Sequence, residues 1–354
     1  SPIRRTMRSL WWKILGSIIF LYVIIVGMCT PMKPGFIGDV VPFLHKAGTE
    51  ANFSVTGYNT HFTQPDTKAW LKLDSSSLVE IDAIKANSDV DVIFSVQLPT
   101  YLPTQDSTLD ATLLVSNSID GIAILPGALF ITQDTIDPSI ESYNNISSID
   151  FPRYDGFAFP FRSTLHETVR NTFFHVAIWF AMYTVLIVGL IYSIKYLTRP
   201  SMRNDIIASS FTEVGVLLGF LGIFTGSVWA RFTWGAFWTP DVKLNTAASF
   251  ILIYSAYLVL RASMPDQDRR AKVSAAYNIF AFATMVPLII IIPRLTDSLH
   301  PGNGGNPALG GEDLDNTLRI VFYPAIIAIT LLSVWISSLV CRLRLLKDDY
   351  MSRR

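Results

Sequence analysis

The sequence predicts a polytopic α-helical membrane protein of about six transmembrane helices, with an all-β domain inserted after the first helix. Half of its 354 residues are hydrophobic and 16% are charged, whereas about 25% of the residues in ordinary soluble domains are charged. Six apolar runs have lengths near the roughly 20 residues that cross a hydrocarbon core, although the fourth is short. The runs cover residues 10–30, 172–197, 206–229, 245–260, 273–292 and 317–340.

Lysines and arginines outside the apolar runs predict the orientation. They concentrate before the first run, at 197–205, at 261–272 and after the last run. Six crossings place these four segments on one side, which the positive-inside rule makes cytoplasmic. We therefore predict a multi-pass protein of the bacterial inner membrane with cytoplasmic N- and C-termini. The first run is expected to stay as an uncleaved helix, because Met28-Cys29-Thr30 is a poor signal-peptidase site.

Charge and cysteine content exclude several functions. The formal net charge is zero, which gives no indication of nucleic-acid binding. The two cysteines, Cys29 and Cys341, are predicted on opposite faces of the membrane, too far apart for a disulfide. A Cys-x-x-Cys motif is absent from the sequence, which argues against thiol redox chemistry and zinc binding.

The chain divides into four predicted parts: the first helix at 1–30, an external β domain with its linker at 31–165, a five-helix membrane domain at 166–345 and a cytoplasmic tail at 346–354. Short alternating runs predict strands at 53–58, 69–73, 90–96, 109–115 and 128–131. Their spacing favours a small antiparallel sandwich. The segment Val55-Thr-Gly-Tyr-Asn-Thr-His-Phe resembles a turn of the IPT/TIG type of immunoglobulin-like domain.

The third apolar run carries a glycine stripe. Gly215, Gly219, Gly222 and Gly226 follow i, i+4, i+7, i+11 spacing and therefore share one helix face. Glycines at this spacing let helix backbones approach closely in lipid. Close packing of this helix would fix the position of the segment that follows it.

That segment, residues 225–241, joins the third and fourth runs and is rich in aromatic residues. We expect it to form a short loop at the membrane surface that presents Trp229, Trp234, Phe237 and Trp238. Two histidines flank other runs on the same predicted face. His175 is a titratable group at the end of an apolar run, a placement that is usually functional. His300 lies in a Gly- and Pro-rich loop that can fold over a ligand.

Aromatic surface and two imidazoles suit a haem, because stacking can hold the macrocycle and imidazole nitrogens can bind the iron axially. Haem propionates favour nearby cations. Arg231 and Lys243 are the candidates in this segment, and Arg294 is a further one. Asp241 cannot bind a propionate. We expect it to fix the loop by accepting backbone N–H bonds or by pairing with Arg231 or Lys243.

The aromatic segment resembles the tryptophan-rich "WWD" signature of the CcmC/CcsA/CcmF haem-handling family of cytochrome c biogenesis. Trp234, Gly235, Trp238 and Asp241 match that signature, while Phe237 stands where the family commonly has Trp. Pro240 replaces another Trp and removes one stacking surface, and Lys243 stands where an Arg often occurs. The sequences around His175 and His300 also resemble family motifs, and the resemblance spans roughly residues 172–340.

The resemblance implies a CcmC-like protein that binds haem b as cargo and need not be an enzyme. His175 and His300 would be the axial ligands, and the Trp-rich segment would hold the macrocycle. The implied partners are a CcmE-like haem chaperone, ABC-transporter subunits resembling CcmA and CcmB, a small helper subunit and membrane lipid. Two alternatives remain open: a CcsA-type subunit of a haem–cytochrome c synthetase, and a receptor or adhesion protein that acts through its β domain.

Overall fold

A computed structural model describes residues 2–137, 139, 149, 151–300 and 314–352. These residues form two compact units, one made of Ser1–Thr30 with Glu167–Arg354 and the other of Pro31–His166. Residues 301–302 of the predicted His300 motif, most of the predicted linker between 138 and 150, and Arg353 and Arg354 of the tail lie outside the described residues.

The first unit is helical. Six of its helical segments are long and apolar enough to cross a membrane, as the sequence predicted, counting the described residues only. Its helices are α1 (Pro2–Cys29), α2 (Thr172–Thr198), α3 (Met202–Trp234), α4 (Val242–Ser263), α5 (Gln267–Ala283), α6 (Ile292–Leu295) and α7 (Asn316–Ser352). A 3₁₀ turn, His166–Asn171, precedes α2, and a π-helix, Val286–Ile291, joins α5 to α6 within the fifth span.

The predicted loop at 225–241 is shorter than expected. Helix α3 continues through Trp234 and ends at Gly235, which has a φ of +80° in the left-handed region that glycine adopts without strain. The prediction of a loop over the whole segment is therefore wrong for residues 225–234. The sequence between Ser227 and Trp234 contains no Gly or Pro that would end the helix.

The glycine stripe of α3 packs against α2. The contact between these two helices is the most extensive helix–helix contact among the described residues. A Cβ atom added to Gly215, Gly222 or Gly226 would lie within 3 Å of a side chain of α2. The α2 side chains that approach these three glycines are Leu186, Trp179 and His175. The stripe therefore fixes one wall of the bundle, as its spacing predicted.

A buried ion pair joins the beginning of α3 to the end of α4. The Arg261 guanidinium on α4 donates to both carboxylate oxygens of Asp205 on α3, at 2.6 and 2.7 Å. Only 5% of the Asp205 side chain and 15% of the Arg261 side chain are exposed. Two parallel hydrogen bonds of this kind fix both distance and orientation, so they join the cytoplasmic-predicted ends of α3 and α4.

The second unit contains two β-sheets. One has the order β1-β3-β7-β6 and the other has the order β2-β9-β8-β4-β5. The strands are β1 (Gly35–Val41), β2 (Leu44–Lys46), β3 (Glu50–Tyr58), β4 (Lys68–Lys72), β5 (Leu78–Glu80), β6 (Ala83–Ala86), β7 (Asp91–Gln97), β8 (Thr108–Asn117) and β9 (Gly121–Thr132). Phe53 and Phe94 of the first sheet and Leu71, Leu113 and Ile131 of the second belong to one buried core.

Each of the five predicted strands is present in the structure as β3, β4, β7, β8 or β9. The strands β1, β2, β5 and β6 were not predicted. Three of these have only three or four residues, too few to establish an alternating pattern. The fourth, β1, is interrupted at Gly38, whose φ is +75°, and its register with β3 shifts between Ile37 and Val41.

Candidate functional site

One end of the helical unit contains a cavity that both predicted histidines line. His175 reaches it from α2, and His300 reaches it from the segment after α6. Trp238 and Lys243, also predicted as site residues, belong to the same lining. The remaining lining residues are Trp179, Tyr183, Gly222, Ile223, Gly226, Ser227, Leu244, Thr246, Ala247, Ile289 and Pro293.

His175 is held between α2 and α3. Its Nδ1 lies 3.0 Å from the hydroxyl Oγ1 of Thr225 on α3. Two indole rings contact the imidazole edge-on, with ring centroids 6.2 Å away for Trp179 and 5.9 Å away for Trp229. Trp229 is itself anchored, because its Nε1 donates to Thr168 Oγ1 at 3.0 Å. The orientation of the imidazole is therefore restricted from several directions.

Asp241 connects the aromatic segment to the segment that carries His300. Its Oδ1 accepts from the backbone N–H of Lys243 at 2.8 Å and so caps the first turn of α4. Its Oδ2 accepts from the backbone N–H of Leu299, also at 2.8 Å. Asp241 thus fixes its loop through backbone N–H groups, as expected, and it also fixes a segment 58 residues further along the chain.

His300 lies beside this carboxylate. Its Nδ1 is 3.3 Å from Asp241 Oδ1, but the alignment does not make a hydrogen bond, and among the described residues this buried Nδ1 has no hydrogen-bond partner. The contact is therefore electrostatic. The Trp234 ring packs edge-on against the imidazole, with the centroids 4.9 Å apart.

Burial and hydrogen bonding shift the pKa values of His300 and Asp241. Burial lowers the pKa of His300 below its ordinary value, which outweighs the opposing effect of the Asp241 carboxylate. Burial also disfavours the charged form of Asp241, but hydrogen bonds from the Ser298 side chain and from the backbone N–H groups of Leu299 and Lys243 outweigh it. The pKa of Asp241 is consequently lowered. Near neutral pH the site therefore contains a neutral imidazole beside a carboxylate.

Of the other predicted residues of the aromatic segment, Trp238 lines the cavity, whereas Arg231 and Phe237 do not belong to its lining. Arg231 donates to the backbone carbonyl of Gly235, and its guanidinium is 5.9 Å from the centroid of the Phe237 ring. Trp238 Nε1 donates to Asn245 Oδ1 at 3.1 Å. Phe237 and Trp238 remain 59% and 42% exposed. Of the three predicted propionate partners, Lys243 lines the cavity, whereas Arg231 and Arg294 are outside its lining.

Two kinds of residue at this site were not predicted from the sequence. Trp179 and Tyr183 follow His175 at i+4 and i+8 and line the cavity with it, so helical periodicity could have identified them. Thr225 was noted only as the beginning of the aromatic segment. Its contact with His175 spans two helices, and a single sequence carries no signal for such a pairing.

Comparison with known proteins identifies the family to which this chain belongs. The profile of the family described as CcmC, "Heme exporter protein C", matches residues 153–354. Heme exporter protein C of Bradyrhizobium diazoefficiens is 28% identical over 192 residues, which cover 53% of this chain and 68% of the relative. The protein of the same name from Haemophilus influenzae is 23% identical over 176 residues, covering 49% of this chain and 67% of the relative.

A shorter match has a different name. Cytochrome c biogenesis protein CcsA of a Synechococcus strain is 38% identical over 84 residues, covering 24% of this chain and 27% of the relative. Six spans and the matches to both kinds of protein define a multi-pass membrane protein of the class that handles haem in cytochrome c biogenesis. Because its profile covers more than half of the chain, the particular family is CcmC, and the chain belongs to it.

Proposed function

We propose that this protein binds haem b as cargo between His175 and His300 at the periplasmic face of the bacterial inner membrane. The observation that carries the proposal is that the two imidazoles line one cavity together with Trp238 and Lys243. Imidazole nitrogens are axial iron ligands, the indole offers a stacking surface, and the ammonium group of Lys243 is suited to a propionate. Trp229 contacts His175, Trp234 contacts His300, and Asp241 holds the segment that carries His300. Gly235 ends α3 and so allows the chain to turn into the loop.

The small size of the cavity supports a role in presenting haem to another protein and not in enclosing it. Its volume is about 190 Å³, below the roughly 300–1,000 Å³ of pockets that enclose a drug-sized ligand. A bound macrocycle would therefore extend past the cavity, toward the exposed rings of Phe237 and Trp238. A partly exposed haem is accessible to a second protein. We propose a CcmE-like periplasmic chaperone as the acceptor, with this chain acting as a delivery component and not as an enzyme.

The remaining proposals follow from family membership and from the charge distribution. Relatives named Heme exporter protein C support assembly with ABC-transporter subunits resembling CcmA and CcmB and with a small helper subunit. The basic segments support cytoplasmic termini. We propose an immunoglobulin-like fold for the β unit, because its two sheets share one core and Val55–Phe62 carries the IPT-like turn sequence. Its proposed role is docking of a partner protein.

A CcsA-type synthetase subunit is the second candidate, favoured by the matches to proteins of that name. Histidines within the spans are usual in that type, whereas the five histidines of this chain are at 45, 61, 166, 175 and 300, away from the middle of any span. Thioether attachment of haem to an apocytochrome by this chain and one partner would favour the synthetase. Transfer of haem to a chaperone without thioether formation would favour the CcmC-like function.

The proposed function is tested by titrating the purified chain with ferric haem and, separately, with metal-free protoporphyrin. Ligation by two histidines predicts a six-coordinate low-spin spectrum with haem and much weaker binding of the metal-free ring. Equal affinity for the two compounds would show that the iron is not ligated. Failure of the chain to retain haem would exclude the proposal. A variant lacking residues 35–165 tests the β unit separately, and we expect it to retain haem.

Asp241→Ala is expected to weaken haem binding by roughly 10- to 100-fold, the usual effect of removing a group that positions a metal ligand. It releases Leu299 from α4 and removes the carboxylate beside His300. It also removes a helix N-cap, at a cost of about 1 kcal/mol. Asp266→Ala is the matched control, because Asp266 caps α5 through the N–H of Arg269 at 2.7 Å. Similar haem affinities for the two variants would contradict the assigned role of Asp241.

A further inference from the structure

The hydroxyl of Thr225 has one proton and several neighbours. Thr225 Oγ1 lies 2.9 Å from the carbonyl oxygen of Leu221 and 3.1 Å from that of Gly222, both on its own helix. Both are acceptors only, so the hydroxyl proton is directed to them. The lone pairs of Oγ1 then remain available to accept a hydrogen bond from His175 Nδ1, 3.0 Å away.

This assignment favours the Nδ1–H tautomer of His175, whose ring also has the backbone carbonyl of Gly222 as a hydrogen-bond acceptor. A neutral imidazole has one N–H, and if Nδ1 donates to Thr225 then Nε2 carries the lone pair. In the opposite tautomer, the N–H would be on Nε2 and Thr225 would have to turn its proton away from the helix carbonyls. An unpaired buried donor costs about 1–3 kcal/mol. The cavity lining among the described residues is mostly apolar, which disfavours that arrangement.

The backbone of α3 also limits where the ring can move. A Cβ atom on Gly226 would lie 2.7 Å from His175 Cε1, so the ring rests directly against this glycine. Thr225 is held in turn, because Asn171 Nδ2 donates to its backbone carbonyl at 3.2 Å. The helix that presents the hydroxyl and the ring that contacts it therefore have fixed positions relative to each other.

We propose that Thr225 is a positioning residue that selects the Nδ1–H tautomer of His175 and so makes Nε2 the iron-binding atom. The inference rests on the proposed haem function for its consequence, although the tautomer can be measured without haem. A hydrogen bond from the non-ligating N–H fixes the orientation of the imidazole and increases its basicity as a ligand. Thr225 acts through His175 and has no direct contact with the iron in this proposal.

The first experiment measures the haem-free protein. ¹⁵N NMR of histidine-labelled chain in detergent distinguishes the two tautomers, and His175→Ala assigns the signal. We expect the Nδ1–H tautomer in the unsubstituted chain and in Thr225→Ser, and a mixture of tautomers in Thr225→Val. Thr184→Val is the matched control, since Thr184 Oγ1 also bonds a carbonyl of its own helix, that of Phe180. The Nε2–H tautomer in the unsubstituted chain would overturn the proposal.

The second experiment uses haem. Thr225→Val is expected to lower haem affinity by about 10- to 100-fold, to shift the ferric spectrum from low-spin toward high-spin, and to raise the reduction potential because the imidazole becomes a weaker donor. Thr225→Ser should restore all three, whereas a role in packing alone would not be rescued by serine. Thr225→Ala provides a second test should valine disturb folding.

The two proposals fail in different ways. Unchanged spectrum and potential in Thr225→Val, with normal haem binding by the unsubstituted chain, would overturn the role of Thr225 alone. Absence of haem binding by the unsubstituted chain would overturn the proposed function, and the tautomer measured by NMR would still decide whether Thr225 orients His175.

Discussion

Replacing His175 and His300 together by alanine is expected to eliminate the Soret absorbance that the purified chain retains with haem. Each single variant should leave one axial ligand and give a weaker, five-coordinate or ligand-exchanged complex. The physical reason is that both imidazoles line one cavity and the pKa of His300 is lowered by burial. A neutral nitrogen is therefore available without loss of a proton.

His45→Ala is the control for general effects of removing a histidine. His45 lies in β2 of the second unit, where its Nε2 contacts the carbonyl of Pro42 at 3.0 Å. Addition of free imidazole should partly restore the low-spin spectrum of the single variants, because the vacated position is open to a small ligand. Undiminished haem loading in the double variant would exclude His175 and His300 as the ligands.

Asp205→Ala is expected to destabilise the helical unit by about 3–5 kcal/mol, since it leaves the Arg261 guanidinium buried without its carboxylate. The pair combines two short hydrogen bonds with almost complete burial. The measurement is the free energy of unfolding in detergent mixtures, followed by the loss of helical circular dichroism.

Glu213→Ala on the same helix provides the comparison. Glu213 pairs with Arg344, but about a third of each side chain is exposed, and partly exposed pairs contribute roughly 0–1 kcal/mol. The double variant Asp205→Leu with Arg261→Met should recover much of the stability, because an apolar pair of similar size avoids the burial of charge. Equal destabilisation by Asp205→Ala and Glu213→Ala would show that burial does not determine the contribution of these pairs.

The parts of the fold that follow from regular sequence patterns could be predicted. Six apolar runs gave six spans, and the spacing of Gly215 to Gly226 predicted the close helix contact that is observed. Boundaries were less accurate: α3 extends past Trp229 to Trp234, and α7 continues to Ser352, beyond the predicted end of the run at 340. Apolar composition identifies the part of a helix that lies in lipid, whereas the helix ends where a residue such as Gly235 allows the chain to turn.

The part of the candidate site that could be predicted is the part that depends on residue type alone. Two histidines beside apolar runs and a dense aromatic segment were enough to place His175, His300 and Trp238 together. The contacts that hold these side chains in place could not be predicted from the sequence. Asp241 reaches Leu299 and Thr225 reaches His175 across different helices, and such pairings depend on three-dimensional packing. Similarly, the β unit contains very short strands such as β2, whose pairing with β9 is set by tertiary structure.

The π-helix in the fifth span has a consequence for the cavity. The α2–α3 wall is seated on glycines and cannot widen without separating two backbones. The opposite wall includes Ile289 of the π-helix and Pro293 of α6, and every residue of the π-helix is at least partly exposed. π-Helical turns are rare and frequently occur at functional sites. If haem enters this cavity as proposed, the side lined by the fifth span lacks the glycine contacts of α2 and α3. We therefore expect lipid composition around that span to alter the rate of haem entry more than the final affinity.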